Sequence, residues 1–334
     1  MKRNDFVESL HGLRGIAVLY VLASHVGNSN LSLLPIPHDA IGKIGVWIFF
    51  GLSAFLLTAK LRDQWLKSPR FLTVACYFVQ RFFRIFPLFI FVLLLHFIFG
   101  EMTGVEVLKH AILLEGRGEL WAISTEFQFY VLLPIVVIVP RKIALFLLIA
   151  AFVACLAYGL KHPGSVFSND LSILPKAAPF LISALFVIAK PLVRFHAVLG
   201  ILGVLLLIYC SWLYRHMYTQ NMTEWVLPWL SFATALAVIS LIASTACSGP
   251  VISLLSNRVL VWTGEISFSI YLLHMFVLNW IVSLNLQPLL AGWLMVMIVF
   301  PIAGISYRLI EIPGIKLGRV ISRRISGRHS IAVD

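Results

Sequence analysis

Apolar runs close to 20 residues long recur along the whole chain and constrain its fold more than any other feature of the sequence. A run of this length is what an α-helix needs to cross the hydrocarbon core of a bilayer. The composition agrees, because 60% of the residues are hydrophobic and only 12% are charged, whereas soluble proteins carry about 25% charged residues. The sequence therefore predicts an all-α fold, a polytopic helical membrane protein.

Ten transmembrane spans are predicted, with the N-terminus and the C-terminus both in the cytoplasm. The predicted spans cover residues 10–28, 41–59, 85–100, 120–139, 142–160, 173–189, 195–213, 225–245, 260–283 and 288–309. This orientation puts 19 of the 26 Lys and Arg residues on cytoplasmic segments and six outside, as expected for the positive-inside rule. The first 25 residues include Asp5, Glu8 and Arg14 and no convincing cleavage site. We therefore expect a retained first span rather than a signal peptide.

The predicted organisation is one transmembrane domain over residues 1–315, followed by a basic cytoplasmic tail over residues 316–334. The segment 60–84 is basic and amphipathic, and we expect it to lie at the cytoplasmic membrane interface. The net charge of +12 is explained by cytoplasmic loops and does not require nucleic acid as a partner. The four cysteines show no Cys-x-x-Cys spacing, so free thiols and no metal site are expected.

Two ionisable residues interrupt the otherwise apolar stretch HGLRGIAVLYVLASH at 11–25. Arg14 and His25 are 11 residues apart, which is three helical turns, so both lie on one face about 16 Å apart along the axis. Ionisable groups at membrane depth usually face a cavity or a partner. The topology puts Arg14 near the cytoplasm and His25 in the outer half. Alternatively, Arg14 snorkels to the cytoplasmic interface. His25 could also be an interfacial histidine near the outer end of the span, or a satisfied interhelical donor.

Other spans carry polar groups at comparable depth, and these could converge with His25 on one cavity in the outer half of the membrane. Glu126 lies in WAISTEFQFY, His274 ends GEISFSIYLLH, and Ser53 lies in FFGLSAFLLT. A purely structural role is open for His274, and helix packing is the alternative for Ser53. Arg81 and Arg84 lie at the opposite, cytoplasmic mouth. Their i, i+3 spacing puts both on one helix face, although they could also be plain positive-inside anchors.

These motifs, taken together and in order, resemble the acyltransferase-3 family of bacterial membrane acyltransferases, which includes O-acetyltransferases of O-antigen, exopolysaccharide and peptidoglycan. The resemblance is carried by LHGLRGIAVLYVLASH at 10–25, IGVWIFFGLSAFLLT at 44–58, RFFRIFP at 81–87, WAISTEFQFYVLLP at 121–134, GEISFSIYLLH at 264–274 and SYRLIEIPGIKLGR at 306–319. The chain departs from the family's usual residues at His11, Trp47, Ala54 and Phe127, where the family more often has aspartate, aspartate, glycine and a second acidic residue.

The resemblance implies transfer of an acyl group, most simply acetyl, from cytoplasmic acyl-CoA to a hydroxyl of an extracytoplasmic or lipid-linked saccharide. Acyl-CoA is then a donor substrate rather than a bound cofactor, and the location is the bacterial inner membrane. The implied residues are Arg14, Arg81 and Arg84 for acyl-CoA; His25, Glu126 and Arg14 for catalysis; and Ser53, Tyr271 and His274 for the acceptor pocket. His25 is expected to act as general base with Glu126 orienting its ring, or else to carry the acyl group transiently.

Two other classes of function remain open from the residues alone. A transporter or flippase for a small anion or lipid-linked sugar also places charges at membrane depth, but the internal inverted repeats typical of such proteins are not evident here. A scaffold without chemistry would not need the Arg14–His25 pair or the two arginines of RFFR.

Overall fold

A computed structural model describes residues 3–33, 38–67, 71–166, 168–169, 171–220, 226–245 and 249–326, with the side chains of residues 3–5 excepted. The described chain is helical, which confirms the predicted fold class. Its helices are α1 (Arg3–Asn28), α2 (Gly42–Lys67), α3 (Phe71–Ile98), α4 (Gly104–Ala111), α5 (Trp121–Ile138), α6 (Arg141–Lys161), α7 (Ala178–Ala189), α8 (His196–Gln220), α9 (Leu227–Ser244), α10 (Pro250–Leu255), α11 (Arg258–Glu265), α12 (Ser267–Ser283), α13 (Pro288–Ser306) and α14 (Ile312–Ile325).

Eight helical stretches among the described residues are long and apolar enough to cross a membrane, and the bent pair α11–α12 makes a ninth if it counts as one span. The sixth predicted span is realised as α7, which has only 12 residues and is therefore about 18 Å long. That is shorter than the roughly 30 Å hydrocarbon core. Multi-pass helical architecture is confirmed, while the count of ten and the cytoplasmic termini stay predictions.

Helix α7 nevertheless runs antiparallel to α6 along most of its length. At one end, Arg141 at the start of α6 donates a hydrogen bond to the carbonyl oxygen of Ala189, 2.5 Å away. At the other end, Cys155 packs against Ala177 and Ala178. Between α6 and α7 the described chain has two short 3-10 segments, at Pro163–Val166 and Leu174–Lys176. Irregular backbone at membrane depth is tolerated where protein surrounds it.

The segment 60–84 is divided between two longer helices, while its location at the cytoplasmic interface stays a prediction. Its first part is the end of α2, and its last part is the beginning of α3, with residues 68–70 outside the described chain. Each apolar span thus continues into a basic extension. The extension of α3 packs against α14, where a Cβ on Gly318 would lie 2.8 Å from the Cβ of Phe83.

The predicted boundary between residues 315 and 316 falls inside helix α14. The chain from Pro288 to Ile325 is helical throughout its 38 residues. Within it, Tyr307–Glu311 form a π-helical segment between α13 and α14. Single π turns inside α-helices are common at functional sites. Ser322, near the end of α14, donates a hydrogen bond to the carbonyl oxygen of Cys76 on α3, 3.3 Å away.

Stacked aromatic rings fill the centre of the bundle. Phe180 of α7 stacks on Phe50 of α2 and on Phe129 of α5, with ring centroids 4.3 and 4.4 Å apart. Outward faces of α6 and α8 are apolar instead, as with Phe146 and Trp212, which are 69% and 59% exposed. Such faces suit contact with lipid. Cys76, Cys155 and Cys210 are free thiols, and Cys247 lies outside the described residues.

Close packing of α1 against α11 fixes the helix that carries Arg14 and His25. A Cβ on Gly15 would lie 2.3 Å from the carbonyl oxygen of Leu260, and one on Gly264 would lie 1.8 Å from that of His11. Only glycine permits the two backbones to approach this closely.

Outside the spans, α4 begins with a reciprocal capping box. The Thr103 hydroxyl accepts from the amide of Glu106, while the Glu106 carboxylate accepts from the amide and the hydroxyl of Thr103. These hydrogen bonds hold the pKa of Glu106 below its usual value. Val105 and Leu108 of the same helix are more than 60% exposed, which suits a helix lying at a membrane surface.

Candidate active site

Two neighbouring cavities lie between α1, α2, α5 and α12, and residues of α8 also line the larger one. The small cavity has a volume of about 50 Å³ and is lined by residues that include Arg14, Ser53, Glu126 and Ser267. The large cavity has a volume of about 620 Å³ and is lined by residues that include His25, Lys43, Glu119, Trp121 and Tyr218. Val46 and Tyr271 line both cavities.

The carboxylate of Glu126 accepts the hydrogen bonds formed in the small cavity by two neighbouring hydroxyls. Its Oε1 accepts hydrogen bonds from the hydroxyls of Ser53 and Tyr130, each at 2.5 Å. Arg14 lines the same cavity and is close enough to attract the Glu126 carboxylate. The Nε of Arg14 is buried and has no hydrogen-bond partner among the described residues. The small cavity therefore contains a carboxylate that already accepts two hydrogen bonds and an arginine whose Nε–H is not used by the described residues.

His25 lines the large cavity, and His274 packs against its ring. The rings of His25 and His274 have centroids 5.0 Å apart. His274 is fully buried, and its Nδ1 lies 2.7 Å from the carbonyl oxygen of Tyr271. A neutral ring with its proton on Nδ1 donates this bond and leaves Nε2 as an acceptor. That Nε2 has no partner in the described chain.

Tyr271 joins the two histidines to the start of α5. Its hydroxyl donates a hydrogen bond to the carbonyl oxygen of Glu119, 2.7 Å away. Next to Glu119, the ring of Trp121 has the ammonium of Lys43 only 3.9 Å from its centroid, a cation–π contact. Lys43 also donates to Asn169 Oδ1 at 2.7 Å, which holds the loop after α6 against the cavity.

The two arginines of RFFR have different surroundings. The guanidinium of Arg84 lies 3.4 Å from Oε2 of Glu311, which is fully buried and also accepts a hydrogen bond from Ser269. Arg81 has no ion pair among the described residues. It approaches Lys60, which is also near Arg319. Lys60, Arg81 and Arg319 thus form a basic cluster where α2, α3 and α14 meet.

The helices place these groups in one linear order. Along α2, Lys60 of the basic cluster, Ser53 of the small cavity and Lys43 of the large cavity follow one another at intervals of seven and ten residues. Along α1, Arg14 and His25 are ordered in the same direction. The basic cluster, the small cavity and the large cavity therefore follow one another along the bundle axis.

Most of the predicted residues are brought to this axis, but not in the predicted pairs. His25 and Tyr271 line the large cavity, with His274 buried behind them against the His25 ring, whereas Glu126 and Ser53 lie at the small one. No hydrogen bond joins His25 to Glu126 in the part of the chain that the structure describes. Ser53 directs its hydroxyl to Glu126, and the Nδ1 of His274 lies at hydrogen-bond distance from the carbonyl oxygen of Tyr271.

The site residues that were not predicted include three with polar side chains beside the predicted ones: Glu119, Tyr130 and Glu311. Glu119 had a readable signal, because it lies seven residues before Glu126 and thus on the same helix face, about 10 Å away along the axis. Glu311 lies in the motif SYRLIEIPG. A carboxylate in such an apolar run usually pairs with a cation or a hydrogen-bond donor inside the protein. Tyr130 follows Glu126 by one helical turn, which is the spacing for a side-chain contact.

Comparison with known proteins agrees with this arrangement of motifs. The chain is 25% identical over 363 residues to "Peptidoglycan O-acetyltransferase OatA" of Listeria monocytogenes serovar 1/2a, covering 92% of this chain and 56% of that protein. It is 22% identical over 370 residues to "Putative O-acetyltransferase SACOL0978" of Staphylococcus aureus strain COL, covering 95% and 58%. "Putative acetyltransferase ORF330" of Acidianus two-tailed virus is 24% identical over 283 residues, covering 79% and 81%.

The chain thus spans little more than half the length of the first two relatives. No solved structure matches it. The family described as "Acyltransferase domain" matches residues 7–308, which include both cavities, Arg81 and Arg84. This match covers nearly all of the chain, and the protein belongs to the acyltransferase-3 family.

Proposed function

We propose that the protein is a membrane O-acyltransferase that moves an acetyl group from acetyl-CoA to a hydroxyl of a saccharide. The observation that carries this proposal is the order of the basic cluster, the small cavity and the large cavity along one axis. A phosphorylated donor needs cations at its entrance, a reacting centre needs groups for charge and proton, and a saccharide needs room. The axis offers these three in sequence.

The donor side is assigned to the basic cluster and Arg84. CoA carries several phosphates, and guanidinium groups bind phosphate by paired hydrogen bonds. Arg81 is free of ion pairs among the described residues, so it is available for such a ligand. Arg84 is one turn further along α3, beside Glu311, and guides the donor toward the small cavity. With the predicted orientation, this entrance faces the cytoplasm.

The thioester is assigned to the junction of the two cavities, where Tyr271 lines both. The unpaired Nε of Arg14 supports a role in stabilising the negative charge that develops on the thioester oxygen. Glu126, held by Ser53 and Tyr130, keeps Arg14 in the small cavity by charge attraction. This assignment replaces the role of orienting His25, since Glu126 does not contact that ring.

His25 is assigned as general base on the acceptor side. Its imidazole takes the proton of the acceptor hydroxyl while that oxygen forms a bond to the thioester carbonyl carbon. The carbon–sulfur bond then breaks, and the leaving thiolate takes the proton from the His25 imidazolium. The products are an O-acetyl ester and CoA with a free thiol. A transient acyl group on a His25 nitrogen is the competing route.

The test uses purified protein in lipid nanodiscs with acetyl-CoA carrying a radioactive acetyl group. A panel of chitooligosaccharides and soluble peptidoglycan fragments serves as acceptors, and the readouts are free thiol and alkali-labile acetyl ester. We expect transfer by the wild type and a loss of about 100-fold or more in His25→Ala, since general-base catalysis contributes that much. His216→Ala is the control, because His216 stacks on Trp212 of α8, outside both cavities.

Two results overturn the proposal. One is wild-type protein that cleaves no thioester but moves an anion or lipid-linked sugar across proteoliposomes, which would make it a transporter. The other is normal transfer by His25→Ala with the protein correctly folded. An acetylated protein trapped before acceptor addition would instead retain the transferase and favour the route through an acyl-histidine.

A further inference from the structure

We propose that Glu119 positions the acceptor, by binding hydroxyl groups of the saccharide through its carboxylate next to His25. This inference rests on the proposed function and adds an acceptor-binding residue to it. It begins from an unusual feature of the large cavity. The lining of this cavity includes, besides His25, the buried carboxylate of Glu119, whose Oε1 has no hydrogen-bond partner among the described residues.

Glu119 is only 7% exposed, and its Oε1 is buried without a hydrogen-bond partner in the described chain. No ion pair to Glu119 is found among those residues either. The other two carboxylates of the axis differ, because Glu126 accepts from two hydroxyls and Glu311 has Arg84 and Ser269. Buried polar groups are nearly always paired, so an unpaired carboxylate lining a cavity points to a ligand.

The backbone at Glu119 is fixed firmly enough for a positioning role. Gly118, with φ of +56°, makes the turn that leads into the 3-10 segment Gly118–Leu120, and α5 begins directly afterwards. The carbonyl oxygen of Glu119 accepts the hydrogen bond from the Tyr271 hydroxyl. Tyr271 in turn holds His274, which contacts the ring of His25. A short chain of contacts therefore sets the carboxylate relative to the proposed base.

The surroundings favour a polyhydroxyl ligand. A carboxylate only accepts hydrogen bonds and has two oxygens, which suits a pair of neighbouring hydroxyls on a sugar ring. Ser24, Asn28 and Asn169 line the same cavity and add hydroxyl and amide groups. Tyr218, which also lines the cavity, is 58% exposed. A mostly apolar wall with a few placed polar groups is the usual form of a small-ligand site.

The experiment compares Glu119→Gln with the wild type, using whichever saccharide of the panel the wild type acetylates. The amide keeps the shape but loses the charge. We expect the acceptor KM to rise about tenfold, because hydrogen bonds to a charged group are stronger than neutral ones by roughly that factor. We expect kcat, the KM for acetyl-CoA and the slow hydrolysis of acetyl-CoA without acceptor to stay within about twofold of the wild type.

Glu115→Gln is the matched control. Glu115 precedes Glu119 by four residues and lines neither cavity. Its Oε2 is also buried without a hydrogen bond among the described residues, but it lies 3.8 Å from the ammonium of the exposed Lys109. We expect it to change none of the kinetic constants. A second arm uses acceptors lacking one ring hydroxyl at a time. The hydroxyl that Glu119 binds is the one whose removal raises the wild-type KM but no longer affects Glu119→Gln.

An unchanged acceptor KM in Glu119→Gln would overturn the inference while leaving the transferase proposal intact. So would a parallel fall in transfer and acceptor-free hydrolysis, since that pattern means a general structural role. Wild-type protein that hydrolyses acetyl-CoA but acetylates no saccharide would overturn the acceptor class in both proposals. Only a selective change in acceptor KM supports Glu119 as the positioning residue.

Discussion

The contact between Gly15 of α1 and helix α11 gives the sharpest test of how packing controls this site. Gly15 follows Arg14 directly, and α1 also carries His25 three turns later. A Cβ at position 15 would lie 2.3 Å from the carbonyl oxygen of Leu260 and 3.3 Å from the backbone nitrogen of Gly264. Neither neighbour is the flexible end of a side chain, so Gly15→Ala must move one backbone away from the other.

The size of the effect follows from that distance. Ordinary van der Waals contact of a Cβ begins at 3.4 Å, so α1 and α11 must separate locally by about 1 Å. Overpacking of this kind costs about 1–3 kcal/mol in stability. A misplacement of about 1 Å at a catalytic group can reduce the rate about 100-fold. We therefore expect Gly15→Ala to stay folded with a lowered thermal midpoint, and its acetyl transfer to fall much further than its stability.

The assay pairs thermal unfolding in nanodiscs with the transfer reaction described above. Gly304→Ala is the control, because a Cβ at Gly304 of α13 would meet only the Trp262 ring at an ordinary 3.9 Å. Alanine there should be neutral or slightly stabilising, since glycine is the weaker helix former by about 1 kcal/mol. Wild-type transfer by Gly15→Ala would refute the reasoning, as would an equal loss in Gly304→Ala.

Three further predictions concern other parts of the axis. Arg84→Ala should lower the free energy of unfolding in nanodiscs by about 3 kcal/mol, because it leaves the buried Glu311 without the guanidinium beside it. Glu311→Gln should lower that free energy clearly less. Equal losses in the two variants would argue against a buried ion pair. Ser53→Ala removes one of the two hydroxyls that donate to the Glu126 carboxylate. It should reduce acetyl transfer about tenfold, the equivalent of one hydrogen bond, with an unchanged melting temperature. Unchanged transfer would exclude a role for the Ser53 hydroxyl in holding Glu126. In whole cells, a membrane-impermeant maleimide should label Lys161→Cys and not Leu192→Cys, because α7 returns along α6 and puts these exposed positions at opposite ends; labelling of both would mean that this segment does not cross.

The apolar runs predicted the fold class and most helix positions, because hydrophobic length is a local property of the sequence. Prediction was incomplete where neighbouring helices decide the outcome. Segment 60–84 looks like one amphipathic stretch by itself, but its halves extend α2 and α3, and the second half is held by α14. Similarly, residues 173–189 are apolar enough for a span, yet the helix is only 12 residues long because the chain before it is irregular.

The candidate site was predictable in its residues and less so in its pairs. Helical spacing correctly put Arg14 and His25 on one face, because period is fixed by backbone geometry. Which carboxylate lies near which base depends on how α5 is shifted along α1, and the sequence does not encode that shift locally. His25 was therefore paired with Glu126 in the prediction, whereas the large cavity has Glu119 on its wall.

Departures from regular helix structure occur at the axis, and each supplies it with a functional group. The 74° bend between α11 and α12 brings Ser267 and Phe268, directly after the break, into the lining of the small cavity. The π-helical segment Tyr307–Glu311 ends at the carboxylate that faces Arg84. In a helical membrane protein, each broken turn leaves backbone groups that must find partners inside the protein.

The irregular chain before α7 fits the same argument. A regular span there would place a continuous helix beside α6 and remove the loop whose Asn169 reaches Lys43. Instead the loop lines the large cavity, and the buried Lys176 approaches the Trp121 ring, 5.0 Å from its centroid. We infer that the short α7 leaves space for the large cavity. Lengthening it by filling residues 171–177 with alanine and leucine should close that space and abolish acceptor use while donor hydrolysis persists; full transfer by that variant would contradict this account of the fold.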